Sequence, residues 1–323
     1  MNHLTPPLRW AILGVGKHVQ KKLIPSFTRT DHAALTALGS NHFERAEQLD
    51  EPGSTLQVSD YASILASAEV DAVFIALPNH LHAQWAIAAL EANKHVLCEK
   101  PIALDAVQAE RMREAARHHD RRLAEAFMYR FHPQQVALRR LLQGGMIGEL
   151  RLIEAQLQYF LEDQANIRAR PETGGGGLLD VGCYLIDFAR TIFGVPAKCH
   201  AIRRMTASGV DETAFVQLQF DGGRAAHLSC GIALTRANSL TVYGTHGAVH
   251  VPSAFLVPRN KKGRIEITRA NGAKELLVTE PLDTYAAEID AFSQWVRSGR
   301  TEHDVFEDGV ENMKIIDAVR RVW

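Results

Sequence analysis

Three polar residues occupy positions from which they can do chemistry, namely Lys100, Asp180 and Tyr184. Lys100 lies in the stretch 98–101 (CEKP), directly after a short apolar run that predicts a strand. Ligands of open parallel sheets bind beyond the carboxyl ends of the strands, so an ammonium at this point can reach a crevice. Asp180 and Tyr184 are four residues apart in a predicted helix and therefore share one helix face. The alternatives are a surface lysine, a charge that starts a helix and a core tyrosine.

Glycines precede and interrupt the segment that carries Asp180 and Tyr184. Residues 174–177 are all glycine, which frees the chain to pass close to a ligand. Gly182 lowers stability inside a helix, and it is explained if another group must approach the backbone closely. Asp180 falls in the first predicted turn, where the helix dipole favours a carboxylate.

The sequence lacks the motifs of several other enzyme classes. It contains no HExxH, no paired-cysteine motif, no GxSxG elbow and no Walker lysine. His80 and His82 stand two residues apart with no third ligand nearby, which is more typical of polar contacts than of a metal site. We therefore expect no metal.

A glycine-rich turn near the N-terminus predicts a nucleotide site. Gly14 and Gly16 stand between a predicted strand (residues 9–13) and a predicted helix (residues 19–27). Glycines at such a turn let backbone amides approach a pyrophosphate at the helix N-terminus. Val19 replaces the small third residue of the usual dinucleotide fingerprint, so helix and strand are expected to stand slightly further apart. The alternative is a plain glycine turn in another α/β protein.

The residues after the second predicted strand bear on the choice of dinucleotide. An acidic residue there would hold the ribose 2′-hydroxyl of NAD. The stretch 39–42 reads GSNH, and the first carboxylate is Glu44. Ser40, Asn41 and Arg45 can donate hydrogen bonds to a 2′-phosphate, so the sequence favours NADP, with use of both NADP and NAD as the alternative.

The pattern of apolar residues predicts two domains. Short apolar runs alternate with amphipathic stretches up to about residue 124, which predicts an α/β fold with a parallel sheet, as in a Rossmann domain. Half-exposed strands with turn signals follow, beginning with residues 150–160, and they predict a mostly antiparallel sheet. A length of 323 residues fits two domains, which we place at residues 1–124 and 125–323.

Composition narrows the class of protein. Lysine and arginine total 36 and aspartate and glutamate 37, so the net charge is -1. Such a balance predicts no nucleic-acid or membrane partner, and no apolar run approaches the ~18 residues of a membrane span. Four cysteines without a CxxC pair indicate a reduced setting, and we expect a cytoplasmic protein.

Several motifs taken together resemble the Gfo/Idh/MocA family (glucose–fructose oxidoreductase, inositol dehydrogenase and rhizopine catabolism). They are the stretches 76–82 (ALPNHLH), 99–101 (EKP), 125–133 (EAFMYRFHP), 179–184 (LDVGCY) and 242–248 (VYGTHGA). The resemblance covers nearly the whole chain. It implies an N-terminal Rossmann domain and a C-terminal α+β domain whose large, open, mostly antiparallel sheet commonly makes homodimer or homotetramer contacts.

The resemblance also implies a nicotinamide cofactor and a sugar, polyol or related substrate with a secondary hydroxyl or ketone. Lys100 matches the family's catalytic lysine and Asp180 its substrate-positioning carboxylate. Tyr184 matches the proton-transfer residue, as in the dihydrodiol dehydrogenase, aldose dehydrogenase and sugar-nucleotide 3-ketoreductase branches. A phenol is a poor base because its pKa is about 10, and a neighbouring ammonium favours the phenolate. We expect Tyr184 to be the general acid/base with Lys100 as its partner, and proton transfer by Lys100 itself is the alternative.

Two sets of contacts follow from the motifs and the resemblance. The expected cofactor contacts are Gly14, Gly16, Lys17, His18, Ser40, Asn41, Arg45, Leu77, Pro78, Asn79, His82, Glu99, Lys100 and Arg130. The expected substrate contacts are Lys100, Arg168, Asp180 and Tyr184. Asn41 occupies the place where NADP-preferring members often have arginine.

Three functions from different classes compete. The first is a dehydrogenase or reductase of a sugar-like substrate, including an NADPH-dependent ketoreductase of a nucleotide-linked ketosugar. The second is a non-catalytic dinucleotide-binding regulator, and the third is a redox-assisted glycosidase or lyase. Intact Lys100, Asp180 and Tyr184 favour an enzyme over a regulator, because a regulator has no chemical need for all three.

Overall fold

The computed structural model describes residues 6–41, 56–299, 306–307 and 309–323. Within these ranges the chain divides into two units. The first contains the described residues up to Ala103, together with Val107–Met128 and Asp283–Val310. The second contains Leu104–Ala106, Tyr129–Leu282 and Glu311–Trp323.

The first unit is built on a parallel sheet. Its strands are β1 (Leu8–Leu13), β2 (Ala33–Gly39), β3 (Gln57–Ser59), β4 (Ala72–Ile75), β5 (His95–Glu99) and β6 (Leu123–Ala126). They lie in the order β3-β2-β1-β4-β5-β6, and every pair is parallel. The order reverses between β1 and β4, the point at which doubly wound sheets bind ligands. The predicted parallel α/β domain is confirmed.

Helices cross between these strands, as right-handed connections require. They are a π-helical turn (Val19–Leu23) that continues into α1 (Ile24–Phe27), then α2 (Tyr61–Ala66), α3 (His82–Glu91) and α4 (Ala106–His118). β4 is buried along its whole length, which explains why its sequence is uniformly apolar. The helix predicted at residues 43–49 lies outside the described residues.

A late helix completes the core of the first unit. This helix, which we number α7 (Thr284–Ser298), contributes Ile289 and Phe292 to the core around Trp10. The rings of Trp10 and Phe292 lie 5.3 Å apart, and Trp10 Nε1 donates a hydrogen bond of 3.0 Å to Ser293 Oγ. The structure thus places residues 283–310 with the first unit, whereas the sequence division puts them in 125–323. An amphipathic stripe shows that a helix covers a core, but not which core it covers.

The second unit contains an eight-stranded sheet. Its strands are β7 (Leu150–Phe160), β8 (Lys198–Met205), β9 (Asp211–Phe220), β10 (Arg224–Gly231), β11 (Ala233–Gly244), β12 (Gly247–Val251), β13 (Gly263–Arg269) and β14 (Lys274–Thr279). The order is β14-β13-β12-β11-β7-β10-β9-β8. The β7–β10 pair is parallel and the other six pairs are antiparallel. The predicted mostly antiparallel sheet is confirmed.

Helices cover part of this sheet and leave apolar residues exposed elsewhere. The helices are α5 (Pro133–Gln143), α6 (Cys183–Phe193), which continues a π-helical turn (Leu178–Gly182), and α8 (Val310–Arg321). Ile202, Phe215 and Tyr243 share one face of the sheet by strand register and are exposed there. None of the helices that the structure describes is long and apolar enough to cross a bilayer.

Candidate functional site

The loop after β1 contains the two glycines of the dinucleotide motif, and the structure accounts for both. Gly14 has a φ of +107°, and a Cβ there would lie 2.5 Å from the carbonyl oxygen of Ala76, in the loop after β4. Only glycine therefore allows the two loops to lie this close where the strand order reverses. A Cβ on Gly16 would have no heavy atom within 4 Å, which leaves open space beside the backbone for a ligand.

The helix after these glycines begins with a wide turn. Val19 opens the π-helical segment and is buried in the core around Trp10. Lys17 and His18, just before it, are exposed. Backbone N–H groups and a cation at the start of a helix are suited to a pyrophosphate, so this end of the sheet fits a dinucleotide.

The end of β2 is where the adenosine ribose of a dinucleotide is read. Ser40 is buried, and its backbone N–H donates to the carbonyl oxygen of Ser59 at 2.9 Å. Asn41 is exposed. Neither of these two side chains is acidic, so neither repels a 2′-phosphate. Arg45 lies outside the described residues, and its expected contact stays a prediction.

His82 joins the loop that carries Lys100 to the loop after β4. The ring is fully buried, and its Nδ1 and Nε2 each lie 2.8 Å from a carbonyl oxygen, that of Pro101 and that of Leu77 respectively. Burial lowers the pKa of His82, and the two carbonyls oppose that shift. The structure therefore places His82 inside the wall of the site, and its expected contact with the cofactor stays a prediction.

Glu125 holds the same loop from the other side. It lies on β6, is 4% exposed, and its Oε1 accepts a hydrogen bond of 3.0 Å from the N–H of Ile102. Lys100 lies between the end of β5 and these two anchored residues, Pro101 and Ile102, and it is half-buried. Its peptide bond to Pro101 is cis. The backbone at Lys100 is thus held by β5 on one side and by the two anchors on the other.

Glu99 ends β5 and is paired with the loop after β1. Its Oε1 lies 3.3 Å from His18 Nε2. Burial raises the pKa of Glu99, but the hydrogen bond from His18 and the charges of His18 and Lys100 outweigh burial and lower it. The remaining expected contacts after β4 are half-buried, namely Leu77, Pro78 and Asn79. The first-unit residues of the predicted set that the structure describes therefore lie at, or just after, the carboxyl ends of β1, β2, β4 and β5.

Asp180 is buried and held by two neighbours. It is 8% exposed, and its Oδ1 accepts 2.9 Å from Arg168 Nε while its Oδ2 accepts 2.7 Å from the Tyr159 hydroxyl. Burial and the Asp180 charge raise the pKa of Tyr159, so this phenol stays a donor. Sequence reasoning predicted Arg168 and Asp180 but missed Tyr159, whose only signal is its place near the end of a half-exposed strand.

Tyr184 lies in the first turn of α6, one turn beyond Asp180. It is 5% exposed, and its ring packs against Tyr129 and Phe255, with centroids at 5.8 and 6.2 Å. Asp180 lies in the π-helical turn (Leu178–Gly182) that continues directly into α6. Asp180 and Tyr184 are thus presented together by one rigid element of the second unit.

The glycines before this helix have a packing reason. A Cβ on Gly175 would lie 2.4 Å from the carbonyl oxygen of Arg168, and one on Gly177 would lie 2.8 Å from the Cα of Gly231. A Cβ on Gly182 would lie 2.8 Å from Cys230 Sγ. The partner that approaches this backbone is therefore the protein itself, chiefly β10.

Arg130 is enclosed in the core of the second unit. It forms an ion pair with Asp187, and its Nε donates 2.9 Å to Asp187 Oδ2. The Tyr129 hydroxyl and Asn312 Nδ2 donate to the same carboxylate at 2.6 and 2.9 Å. Burial raises the pKa of Asp187, but Arg130 and Arg190 outweigh it and keep the group ionised. This network is a structural one, and a cofactor contact of Arg130 stays a prediction.

The predicted site residues thus fall on both units. Lys100 and the glycine loop belong to the first, and Arg168, Asp180 and Tyr184 belong to the second. Among the residues that the structure describes, no group of three or more His, Cys, Asp or Glu side chains is arranged to hold a metal ion.

We expect Asp187→Ala to lower the free energy of unfolding by about 3–5 kcal/mol, because it leaves the Arg130 guanidinium buried without its counter-ion. Urea titration measures the change. Asp221→Asn, at an exposed turn of the same unit, is the control and should change stability by less than about 0.5 kcal/mol. A loss in Asp187→Ala no larger than that of the control would contradict a structural role for the network.

Comparison with known proteins agrees with this geometry. Residues 8–127 match the model of the Gfo/Idh/MocA oxidoreductases with an NAD-binding Rossmann fold, and residues 136–250 match the C-terminal domain of the same family. The chain is 31% identical to D-xylose 1-dehydrogenase (NADP(+)) 2 from Haloferax volcanii, over 97% of this chain and 96% of that protein.

Solved structures show the same architecture over the full length. The 3-ketoreductase KijD10 from Actinomadura kijaniata, in complex with NADP and TDP-benzene, superposes with a TM-score of 0.90 at 31% identity, covering 98% of this chain and 97% of that one. Aldose-aldose oxidoreductase from Caulobacter crescentus, complexed with glycerol, gives a TM-score of 0.88 at 25% identity with the same coverage. The chain therefore belongs to the Gfo/Idh/MocA family, and it is an NAD(P)-dependent oxidoreductase that acts on hydroxyl or keto groups of sugar-like substrates.

Proposed function

We propose that this enzyme transfers hydride between NADP(H) and a secondary hydroxyl or ketone of a sugar, with Tyr184 moving the proton. The observation that carries the proposal is the pairing of Tyr184 with the buried, hydrogen-bonded Asp180 on successive turns of one helix. The proposed division of labour gives dinucleotide binding to residues 1–124 and substrate binding to residues 125–323, with α7 completing the core of the first part.

The cofactor supplies or accepts the hydride, so the protein must orient the substrate carbon and handle one proton. Tyr184 gives its phenolic proton to the oxygen of a ketone during reduction and takes it back during oxidation. Lys100 donates a hydrogen bond to that oxygen and its charge favours the phenolate. Asp180, fixed by Tyr159 and Arg168, accepts a hydrogen bond from a second hydroxyl of the substrate.

Two features support NADP as the preferred cofactor. Ser40 and Asn41 follow β2 where a carboxylate would repel a 2′-phosphate. KijD10 and the xylose dehydrogenase are both described with NADP. The expected cofactor contacts of the first unit surround the carboxyl ends of β1, β2, β4 and β5, which fits a dinucleotide held across the point where the strand order reverses.

A nucleotide-linked ketosugar is the second candidate substrate, and Arg168 favours it. Its Nε is engaged with Asp180, yet the side chain is 41% exposed, so the outer part of the guanidinium reaches solvent beside the carboxylate. Arg170 is exposed two residues further along. Guanidinium groups suit the diphosphate of such a substrate, and KijD10 was solved with TDP-benzene.

We further propose a homodimer or homotetramer formed through the open face of the second sheet. Ile202 and Phe215 are 74% and 49% exposed and face each other across β8 and β9. Neighbouring exposed apolar residues on one sheet face are typical of an interaction surface. A two-fold axis would bring identical patches together.

A cytoplasmic location is proposed on the state of the cysteines. Cys98, Cys183 and Cys230 are buried thiols and Cys199 is half-buried. Burial raises the pKa of Cys98 and Cys230, so these groups stay protonated and inert. Such thiols are typical of proteins in a reducing compartment.

Tyr184→Phe should lower kcat by a factor of about 10²–10⁴, because general acid–base assistance is lost. The measurement is reduced-nicotinamide absorbance with free aldoses, inositols, cyclic diols and nucleotide-linked ketosugars as substrates. Tyr243→Phe, which removes an exposed hydroxyl bonded to Glu154, is the control and should stay within about threefold. A similarly small effect in Tyr184→Phe would remove Tyr184 from the mechanism, and no turnover of any substrate class by the wild type would refute the proposed function.

Asn41→Asp should shift cofactor preference toward NADH. A carboxylate at the end of β2 repels the 2′-phosphate and accepts from a 2′-hydroxyl, so the ratio of kcat/KM for NADPH over NADH should fall roughly 10- to 100-fold. Asn271→Asp, in the exposed β13–β14 turn, adds the same charge elsewhere and should leave the ratio unchanged. An unaltered ratio in Asn41→Asp would place the 2′-position away from β2.

Ile202→Asp and Phe215→Asp should each shift the assembly toward monomer, since two like charges would meet across a two-fold axis. Light scattering coupled to size exclusion gives the mass. Val107→Asp alters another exposed apolar residue, 63% exposed on α4, and should leave the mass unchanged. A monomeric wild type, or two variants that keep its mass, would count against assembly through this face.

A further inference from the structure

The helix that carries Asp180 and Tyr184 lacks a cap of its own. Its N-cap residue is Gly177, which has no side chain that could bond the first turn. The first N–H groups of a helix have no partner within the helix. One of them, on Leu178, donates a hydrogen bond of 2.6 Å to Oδ2 of Asp211, which is 33 residues further along the chain on β9.

The contact with Asp211 is built into the backbone of the glycine run. Gly176 has a φ of +110°, and a Cβ there would lie 2.2 Å from Asp211 Oδ1. Both oxygens of the carboxylate therefore lie directly against the chain that opens the helix, one at Leu178 and one at Gly176. Any side chain at Gly176 would displace the carboxylate.

Asp211 is held in a setting that disfavours its charge. It is 8% exposed, and burial raises its pKa from 3.8 to about 6, against the hydrogen bond from Leu178. The charged or titratable groups that face it are Cys230, Arg203 and Arg320. Because the folded chain binds this proton more readily than the unfolded chain, the stability that the group contributes is present below about pH 4 and is lost as the pH rises through about 6.

A carboxylate that lowers stability at neutral pH, yet contacts one functional helix, indicates a role in function. Leu178 lies two residues before Asp180 and six before Tyr184, in one continuous helix. Moving the N-terminus of that helix moves both groups. A misplacement of about 1 Å in a reacting group lowers rates by about 10²-fold.

We propose that Asp211 is a positioning residue whose carboxylate fixes the start of this helix and thereby sets Asp180 and Tyr184. This inference rests on the proposed function for the rates that it predicts. The ionised group holds the Leu178 N–H more strongly than the neutral group, because hydrogen bonds to a charged acceptor are about twice as strong.

Asp211→Asn tests the inference, since it keeps the shape and removes the charge. We expect kcat to fall by about tenfold or more near pH 8, with KM for NADPH unchanged, because all the expected dinucleotide contacts except Arg130 belong to the first part of the chain and none lies on this helix. The wild-type kcat should decline as the pH falls through about 6, and the variant should lack that inflection. The variant should be at least as stable as the wild type near pH 8, the reverse of a merely structural loss.

Hydrogen–deuterium exchange supplies a readout that needs no substrate. Peptides spanning residues 177–185 should exchange faster in Asp211→Asn than in the wild type near pH 8. If the variant does not fold, the wild type alone decides the matter. The hydrogen bond from Leu178 lowers the pKa of Asp211 and is therefore stronger to the ionised group, although burial disfavours that group overall. After correction for intrinsic rates, the same peptides should thus be better protected near pH 8 than near pH 5. Asp221→Asn, at the far end of β9, is the matched control and should change neither exchange nor rate.

The outcomes distinguish a failure of the proposed function from a failure of the positioning inference. A wild type without turnover but with charge-dependent protection of residues 177–185 refutes the proposed function and leaves Asp211 as the anchor of the helix. Unchanged exchange in Asp211→Asn together with kcat within threefold of the wild type overturns the positioning inference. If the variant does not fold, equal protection of residues 177–185 in the wild type near pH 5 and near pH 8 overturns the positioning inference as well.

Discussion

Close approach of backbone to backbone, without room for a single Cβ, is the constraint on which both segments of the proposed site depend. The β1 loop meets the β4 loop at Gly14, where a Cβ would lie 2.5 Å from Ala76 O, and the start of the Tyr184 helix meets the backbone of β10 at Gly177. Peptide groups are rigid and planar, so contacts between them fix the position of the backbone more tightly than contacts between side chains with free torsions. The residues of the proposed site therefore lie on elements that have little freedom to shift.

Buried polar groups complete this scaffold in a recurring way. Glu125, His82 and Asp211 are each nearly or fully buried, and each meets a backbone N–H or carbonyl of a functional loop or helix. Apolar side chains in these places would be easier to bury, but they cannot direct a loop, because dispersion has little orientation. These three contacts fix the backbone beside Lys100 and at the start of the helix that carries Tyr184.

The sequence predicts the regular elements well where pattern and burial agree. β7 alternates, and this pattern predicts residues 150–160 as a strand, as observed. α5 was missed, although a proline at its first position is a usual helix start. β3 has three residues and is too short for a periodic pattern to be recognised in its sequence.

The residues of the proposed site divide in the same way, into those with a local signal in the sequence and those without one. Lys100 and Asp180 can be proposed from sequence because charge at a strand end or in a first helix turn has a local signature. Tyr159 and Asp211 act through partners 21 and 33 residues distant in sequence, so no local pattern marks them. Glu125 does carry a signal, since it is a carboxylate inside the buried strand LAEA, and such a group must have a partner.

The first unit is completed by a segment that follows most of the second unit in the chain. Tyr129–Leu282 of the second unit is inserted between β6 and α7 of the first. Ile289 and Phe292 of α7 fill the core beneath β1, the strand that leads into Gly14. The loop at Gly14 therefore depends on a helix that is synthesised after Tyr184, the residue that we propose transfers the proton, and the first unit cannot complete its core until nearly the whole chain is present. The proposed cofactor and substrate elements are thus coupled through folding.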